Sequence, residues 1–341
     1  MRAPLLALLV AAVSCCAAGG ARAGTGAHEL TLRGHGLGHG IGLSQLGAEA
    51  RAAAGESTAE ILRFYYPGTV LAPAPSRTVR ILVAARPRVT VSVGGVRRVY
   101  TAGGLPAPVA VSAHGASLRV GGTPYPGRLR IAAAGGTVQV VDEVPLEEYV
   151  AGVVSVECPG YWRGAALRAQ AIASRSYALA SLRPGAAFDV YADDRSQNFR
   201  GLLRRLPAAV AAAAATRAQV LEYRGAVVPA LFSASDGGRT SVPDGVWGGG
   251  AVPWLVSRPD PYDRGNADSS WGPVRLGLAA VRAAFPQVPA DVASVAVVRN
   301  AGRRAVTLTF HGAGGAVASV SAYAFQQRFH LRSTYFTVAA D

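Results

Sequence analysis

The stretch Val144-Pro-Leu-Glu-Glu-Tyr-Val-Ala-Gly-Val-Val-Ser-Val-Glu-Cys-Pro-Gly-Tyr-Trp162 decides how the rest of the chain is read. Pro145 sets the entry to a helix over Leu146 to about Val156, because proline suits the first helical turn. Pro159-Gly160 then forbids its continuation. Glu157 therefore falls at the end of an otherwise apolar helix. There it faces the negative end of the macrodipole, with Val156, Cys158 and Tyr161 as weakly polar neighbours. Both effects disfavour ionisation, as a general acid requires near neutral pH. The plain alternative is a solvated glutamate at a helix end.

Immediately downstream, a second helix is expected over about Arg163 to Leu182, ended by Pro184-Gly185. Helical spacing puts Gln170, Ser174 and Tyr177 on one side, and Arg168 and Arg175 two turns apart on another. The many alanines allow close packing on one face, leaving a polar stripe suited to hydrogen-bonding sugars. An ordinary core helix with a wet edge fits the same pattern. Upstream, Val79 to Val141 reads as short β-branched strands between Gly/Pro turns. Further strands follow at Gln219–Tyr223, Val227–Ser233, Ser294–Arg299 and Ala305–His311. Helices are expected at 206–217, 276–285 and 322–329. The fold class is α+β, a mixed fold with a β-rich segment after an N-terminal Gly-rich turn and helix.

That turn is Gly34-His-Gly-Leu-Gly-His-Gly40, where alternating glycines permit unusual dihedrals. A helix over Ser44–Phe64 follows, with Gly55 interrupting it, and residues 71–76 read as a linker. The glycine pattern can be forced onto a dinucleotide fingerprint, but no βαβ unit with a placed acid accompanies it. His35 and His39 are four apart in a turn rather than on a helix, so an HExxH-type pair is absent. Region 234–274 is loop-rich and holds Ser235, Asp236, Trp247, Trp254 and Trp271. No G-x-S-x-G surrounds Ser233 or Ser235.

The 341 residues are 50% apolar and 16% charged, with a formal charge of +14 carried by arginine alone among the basic residues other than histidine. Residues 1–23 read as a signal peptide: Met1-Arg2, an apolar run from Leu5 to Ala18, and cleavage after Ala21-Arg22-Ala23. A lipoprotein anchor at Cys15 competes, although Ala12-Val13-Ser14 lacks the usual leucine. Cleavage would remove Arg2 and Arg22 and no acid, lowering the charge to about +12. An exported chain this basic is attracted to polyanions, anionic wall polymers among them. No nucleic-acid motif is present, and no nucleic-acid partner is expected. Cys158 would be the sole remaining thiol, which excludes an intrachain disulfide and a Cys/His zinc cluster.

Together these segments resemble the SpoIID/LytB family, which includes stage II sporulation protein D lytic transglycosylases. Residues 144–157 resemble its PLEEYLxGVVxxE block, and Ala165–Leu179 its helix of the form EALKAQAVAARTYAL. Arg195-Ser-Gln-Asn-Phe-Arg-Gly201 resembles SQVYxG, Phe232–Thr240 resembles FSASSGGxT, and Leu331–Phe336 resembles LRSTxF. Gly38–Ala48 with Tyr65-Tyr-Pro-Gly-Thr69 resembles GHGVGMSQYGA…YYPGT. That last block normally follows the LRSTxF strand, so the chain reads as circularly permuted, which requires neighbouring termini. The segments are then 24–70 (permuted GHGxGxSQ part), 79–142 (β-rich) and 143–341 (catalytic region).

The resemblance implies an exported peptidoglycan lytic transglycosylase cutting MurNAc–GlcNAc strands, with Glu157 catalytic and no metal or cofactor. Substrate contacts are expected from Gln170, Arg175, Tyr177, Ser235, His39 and Gln45. Should a second carboxylate exist, it would be Asp193, Asp194 or Asp236. The family also carries a second role, a wall-binding protein that stimulates a cell-wall amidase without depending on Glu157. A cysteine peptidase using Cys158 is the third reading. It is disfavoured because the thiol follows a helix, whose dipole raises its pKa.

Overall fold

The computed structural model describes residues 28–244 and 250–341, so the leader expected at 1–23 and Trp247 lie outside the described residues. Strand β1 (Glu29–Gly34) buries Leu30 and Leu32 completely, with Thr31 and Arg33 alternating outward. The glycine turn beyond it is left-handed at every second position: Gly36, Gly38, Gly40 and Gly42 have φ between +66° and +93°. Close approach adds to the requirement, since a Cβ on Gly42 would lie 2.1 Å from the Leu231 carbonyl oxygen. Short strand β2 (Leu43–Ser44) leads into α1 (Gln45–Ala53), where the Ser44 side chain caps the Gly47 N–H. The helix expected over 44–64 with an interruption at Gly55 is two helices divided there. Gly55, at φ +95°, ends the first, and a Ser57/Glu60 capping box starts α2 (Thr58–Tyr65). The stretch 71–76 expected as a linker overlaps strand β3 (Val70–Pro73).

Eight strands follow: β4 (Thr78–Arg86), β5 (Arg88–Val93), β6 (Val96–Thr101), β7 (Val109–Val111), β8 (Leu118–Val120), β9 (Thr123–Pro124), β10 (Arg128–Ala134) and β11 (Thr137–Pro145). β4, β11, β10 and β7 lie side by side, while β6, β5, β8 and β9 form a second sheet. β11 runs directly into α3 (Leu146–Glu157), followed by α4 (Gly164–Ala180), β12 (Val190–Tyr191) on the free edge of β4, and α5 (Pro207–Ala215). α4 is the central helix. Leu167, Ala171 and Ala178 join the core formed with the two sheets and α3. Ala166, Ala169, Ile172 and Ala173 join a second core with α1 and α2. Its alanine-rich composition is what lets neighbours approach on both sides.

β13 (Gln219–Tyr223) pairs with β3 on one side and β14 (Ala226–Val227) on the other, and β15 (Phe232–Ser233) runs parallel to β2. A third core closes the chain, built from β16 (Trp271–Gly277), α6 (Leu278–Ala284), β17 (Val292–Arg299), β18 (Ala305–Gly312), β19 (Val317–Ser321), α7 (Ala322–Phe329) and β20 (Phe336–Ala340). Here β1 is the middle strand of a sheet ordered β16-β1-β20, with Leu30 opposite Ala340 and Gly34 opposite Phe336. The first and last strands are therefore antiparallel neighbours, the adjacency that a permuted chain needs. The architecture is α+β, as the residue pattern indicated.

Candidate active site

Glu157 is the last residue of α3, and Cys158 turns away in extended geometry before Pro159. Its half-buried carboxylate meets two segments distant in sequence. Oε1 accepts the Asn198 backbone N–H at 2.9 Å and Asn198 Nδ2 at 3.1 Å. Among the described residues Oε2 accepts only Gln45 Nε2, at a long 3.4 Å. Gln45 is the first residue of α1, positioned by the Ser44 cap. Asn198 sits in a loop clamped at several points. The Gln197 side chain donates to the Ser174 carbonyl, the Ser196 hydroxyl accepts from the Tyr191 N–H, and Phe199 N–H donates to Ala192. The Phe199 ring is 2% exposed, packs near Tyr149 and Tyr125, and lies directly on Gly152 of α3. A Cβ at Gly152 would come within 2.5 Å of that ring, so the glycine sets how closely the loop approaches Glu157. None of the hydrogen bonds at Glu157 reaches another carboxylate.

Two cavities flank Arg195, three residues before Asn198, and only the smaller is lined by Asn198 itself; Glu157 and Gln45 line neither. One of about 470 Å³ is lined by Asn198, Tyr125, Arg200 and residues 82–86 of β4, among others. The other, about 710 Å³, is lined by His39, Tyr177, Asp194, Tyr323, Gln326 and Gln327 among others. Arg195 borders both. Its guanidinium stacks on the Tyr191 ring 3.9 Å away and pairs with Asp193. The larger cavity combines flat rings with amide side chains, the combination that suits a carbohydrate: apolar ring faces against rings, hydroxyls against amides.

Residues 134–223 match the family model described as SpoIID, Stage II sporulation protein. The Stage II sporulation protein D of Bacillus subtilis is 30% identical over 143 residues, 37% of this chain and 41% of that protein. An uncharacterized protein of Brachyspira hyodysenteriae is 35% identical over 137 residues, 39% of this chain and 37% of its own length. The Amidase enhancer of Bacillus subtilis is 63% identical over 43 residues, 13% of this chain and 6% of that protein. These matches make residues 134–223 similar to the SpoIID family, in line with the resemblance read from the motifs. The chain spans well under half the length of these relatives. The family-model match contains Glu157, Asn198 and Tyr177. Gln45 and His39 come from outside it; the fold brings Gln45 to Glu157 and His39 to the cavity that Tyr177 lines.

Of the residues expected to touch substrate, Gln45 reaches Glu157, and Tyr177 and His39 line the larger cavity. His39 Nδ1 accepts the Ile41 N–H at 2.9 Å, which places its proton on Nε2. Enclosure by the protein, reinforced by the Arg304 guanidinium, pushes its pKa down to about 3, so the ring is neutral, although part of its surface borders the cavity. Gln170 is 1% exposed and donates to Ser174 Oγ inside the molecule. Arg175 lies fully in the interior, where its donors go to Glu147 and to the carbonyls of Ala171, Ala213 and Gln219. No donor remains on it for a ligand. Ser235 is likewise enclosed and gives its hydroxyl to Asp263 at 2.6 Å. The polar stripe on α4 thus points into the protein at Gln170 and Ser174 and reaches a cavity only at Tyr177.

The candidate second carboxylates separate. Asp193 is committed to Arg195, and Asp194 borders the larger cavity. Asp236 is enclosed with Asp260 and Asp263, and burial followed by those two charges pushes its pKa up to about 9. The same cluster ties the glycine-rich segment to the 235–263 loop: Ser44 donates to Asp263, while Tyr65 and Arg51 hold Asp260. Burial, with Glu157 and Glu49 adding, raises the 1%-exposed Cys158 thiol well above its ordinary pKa. Among the described residues no group of three His, Cys, Asp or Glu side chains is placed to hold a metal ion. Asn198 is the residue that the sequence reading missed. Its signal was the Ser-Gln-Asn-Phe motif, which was visible but given no role at the site.

Proposed function

We propose that the chain is an exported peptidoglycan lytic transglycosylase that cleaves MurNAc–GlcNAc glycan strands with Glu157 as its single acid and base. The observation that carries this reading is the convergence of Asn198 and Gln45 on Glu157, with no second carboxylate bonded to it. Most glycosidases need two carboxyl groups, the second to activate water or attack the sugar. A transglycosylase needs one. Glu157 gives its proton to the glycosidic oxygen as the C1–O bond breaks. The muramic acid C6 hydroxyl then bonds to C1, and its proton returns to Glu157. Oε1 is fixed by the Asn198 backbone, which can only donate, so Oε2 is the oxygen that carries the mobile proton. Gln45 beside it can present either its N–H₂ or its carbonyl, and so can pair with both protonation states. Similarity to Stage II sporulation protein D supports a cell-wall role, and the basic charge suits an anionic wall.

The test is digestion of purified glycan strands with mass analysis of the products. The expected product ends in 1,6-anhydro-muramic acid, one water lighter than a hydrolysis product. Glu157→Gln should fold and bind strands but lose roughly 10² to 10⁴ in rate. A reducing-end muramic acid would instead indicate a hydrolase. The short match to an Amidase enhancer supports a second reading, stimulation of an N-acetylmuramoyl-L-alanine amidase without glycan cleavage. Full activity of Glu157→Gln in an amidase-stimulation assay, with no strand cleavage by the wild type, would select it.

A further inference from the structure

A separate cavity of about 480 Å³ lies between the 237–239 turn, the 264–270 loop and the 303 and 335 positions. Thr334 borders the large glycan-side cavity, whereas its neighbour Tyr335 borders this one, so the two open on different sides of one chain segment. Three arginines, Arg239, Arg264 and Arg303, line it, together with His35, Ser270 and Tyr335, and no aspartate or glutamate does. None of the three is in an ion pair among the described residues. Arg239 spends one N–H on Ser257, while the Arg264 and Arg303 guanidiniums make no hydrogen bond among the described residues. The acids that could neutralise them are committed elsewhere. Asp268 pairs with Arg332, and Asp263 accepts from Ser44, Ser235 and the Gly237 N–H. Behind the wall, buried Arg304 sits 5.5 Å from the Tyr335 ring centroid and donates only to carbonyls, adding positive potential to that side.

Local geometry constrains two of the three positions, and a hydrogen bond to Ser257 holds the third. Arg264 is laid across Gly238, where a Cβ would come 2.9 Å from its Cγ and Nε, so glycine there lets the arginine lie against the turn. Arg303 holds φ +61°, a left-handed conformation that non-glycine residues seldom adopt. Unpaired like charges at one concavity repel, and an arrangement that keeps them without an internal counter-ion suits an external one. Guanidiniums match the tetrahedral oxygens of phosphate by bidentate hydrogen bonds, and hydroxyls of Ser270 and Tyr335 supply further donors.

We infer that this cavity is a phosphate-binding site, separate from the Glu157 region, that takes the phosphate group of an anionic polymer. It rests on no step of the glycan-cleavage reading.

The test is titration calorimetry at low ionic strength with three probes: inorganic phosphate, poly(glycerol phosphate), and phosphatidylglycerol vesicles. The comparator is the double variant Arg264→Gln/Arg303→Asn, whose side chains are exposed and whose asparagine tolerates the left-handed position. Expected is binding of inorganic phosphate and tighter binding of poly(glycerol phosphate), each weakened at least about tenfold in the variant and by added salt. Vesicle binding that outranks the soluble polymer, and is lost in the variant, would leave the phosphate chemistry standing and overturn the polymer as its source. Equal binding by wild type and variant would overturn the site. So would absence of phosphate binding by the wild type, or preference for poly-glutamate over poly(glycerol phosphate).

Discussion

Arg175→Met separates a structural arginine from a ligand-binding one. The guanidinium is completely buried, and its pair with Glu147 is bidentate, at 3.0 Å and 2.7 Å. It also joins three elements. Ala213 lies in α5, Gln219 opens β13, and Glu147 lies in the first turn of α3. Methionine fills a similar path through the core but leaves the Ala213 and Gln219 carbonyls without this donor. Removing one partner of a buried pair costs about 3–5 kcal/mol. The Glu147 side chain keeps 23% of its exposure and can recover some hydration, which places the expected loss near the lower end, about 3 kcal/mol. For a chain of this size, that lowers Tm by roughly 4–5 °C. The assay is a thermal unfolding scan paired with glycan-strand KM measured well below the transition. Arg175→Lys retains the charge but not the fork, and should fall between the two. An unchanged Tm with a large rise in KM would refute the argument and return Arg175 to the substrate.

Other consequences follow from single contacts. Gly152→Ala should push the Phe199 ring and the Asn198 loop away from Glu157, costing about 1–3 kcal/mol and most of the turnover; thermal scans and strand digestion would show whether both fall together. Asp236→Asn mimics the protonated carboxyl. The folded chain keeps a proton on Asp236 up to about pH 9, whereas unfolded aspartate releases it near ~4. That contribution to stability is fully present below the unfolded pKa and is lost as pH rises to about 9, so the wild type should lose stability across this window relative to the variant. Parallel Tm curves from pH 5 to 9 would contradict it. Native Cys158 should resist iodoacetamide at pH 8 and react only on unfolding, since burial both shields and protonates the thiol; rapid alkylation of the folded protein would overturn that.

Local pattern made the helices legible and left part of the pairing hidden. The apolar run after Pro145 and the alanine-rich run after Trp162 each carry enough turns for periodicity to be read. β3 was hidden because Val70-Leu-Ala-Pro73 has two of its apolar side chains exposed and ends in proline. Its existence depends on β13, about 150 residues away. β16 was lost inside a loop-rich stretch for the same reason: Trp271-Gly-Pro shows no alternation, yet β1 supplies its hydrogen-bond partners. The helical wheel of α4 showed that Gln170, Ser174 and Tyr177 share a side. It could not show that the first two would be buried, with the loop residue Gln197 donating to the Ser174 carbonyl, because a wheel contains one helix.

The Gly-rich turn explains how the site draws on the chain's far end. β1 occupies the middle of a three-stranded sheet, so it needs both β16 and β20 in place before its edges are satisfied. From there the chain must enter α1 with Gln45 aimed at a carboxylate 112 positions later. Four left-handed glycines within seven residues make that path, and the crowding at Gly40 and Gly42 leaves no room for a side chain at either. A Gly42→Ala variant therefore tests the path rather than the chemistry. The added Cβ would meet the Leu231 carbonyl oxygen at 2.1 Å, and backbone cannot yield as a flexible side chain can. The β2–β15 pairing and the start of α1 should shift together. A loss of about 1–3 kcal/mol is expected from the strained φ alone. If Gln45 orients Glu157, turnover should fall further than Gln45→Ala alone reduces it, because the whole N-terminus of α1 moves. Wild-type turnover in Gly42→Ala, with the stability loss present, would show that Glu157 works without this segment.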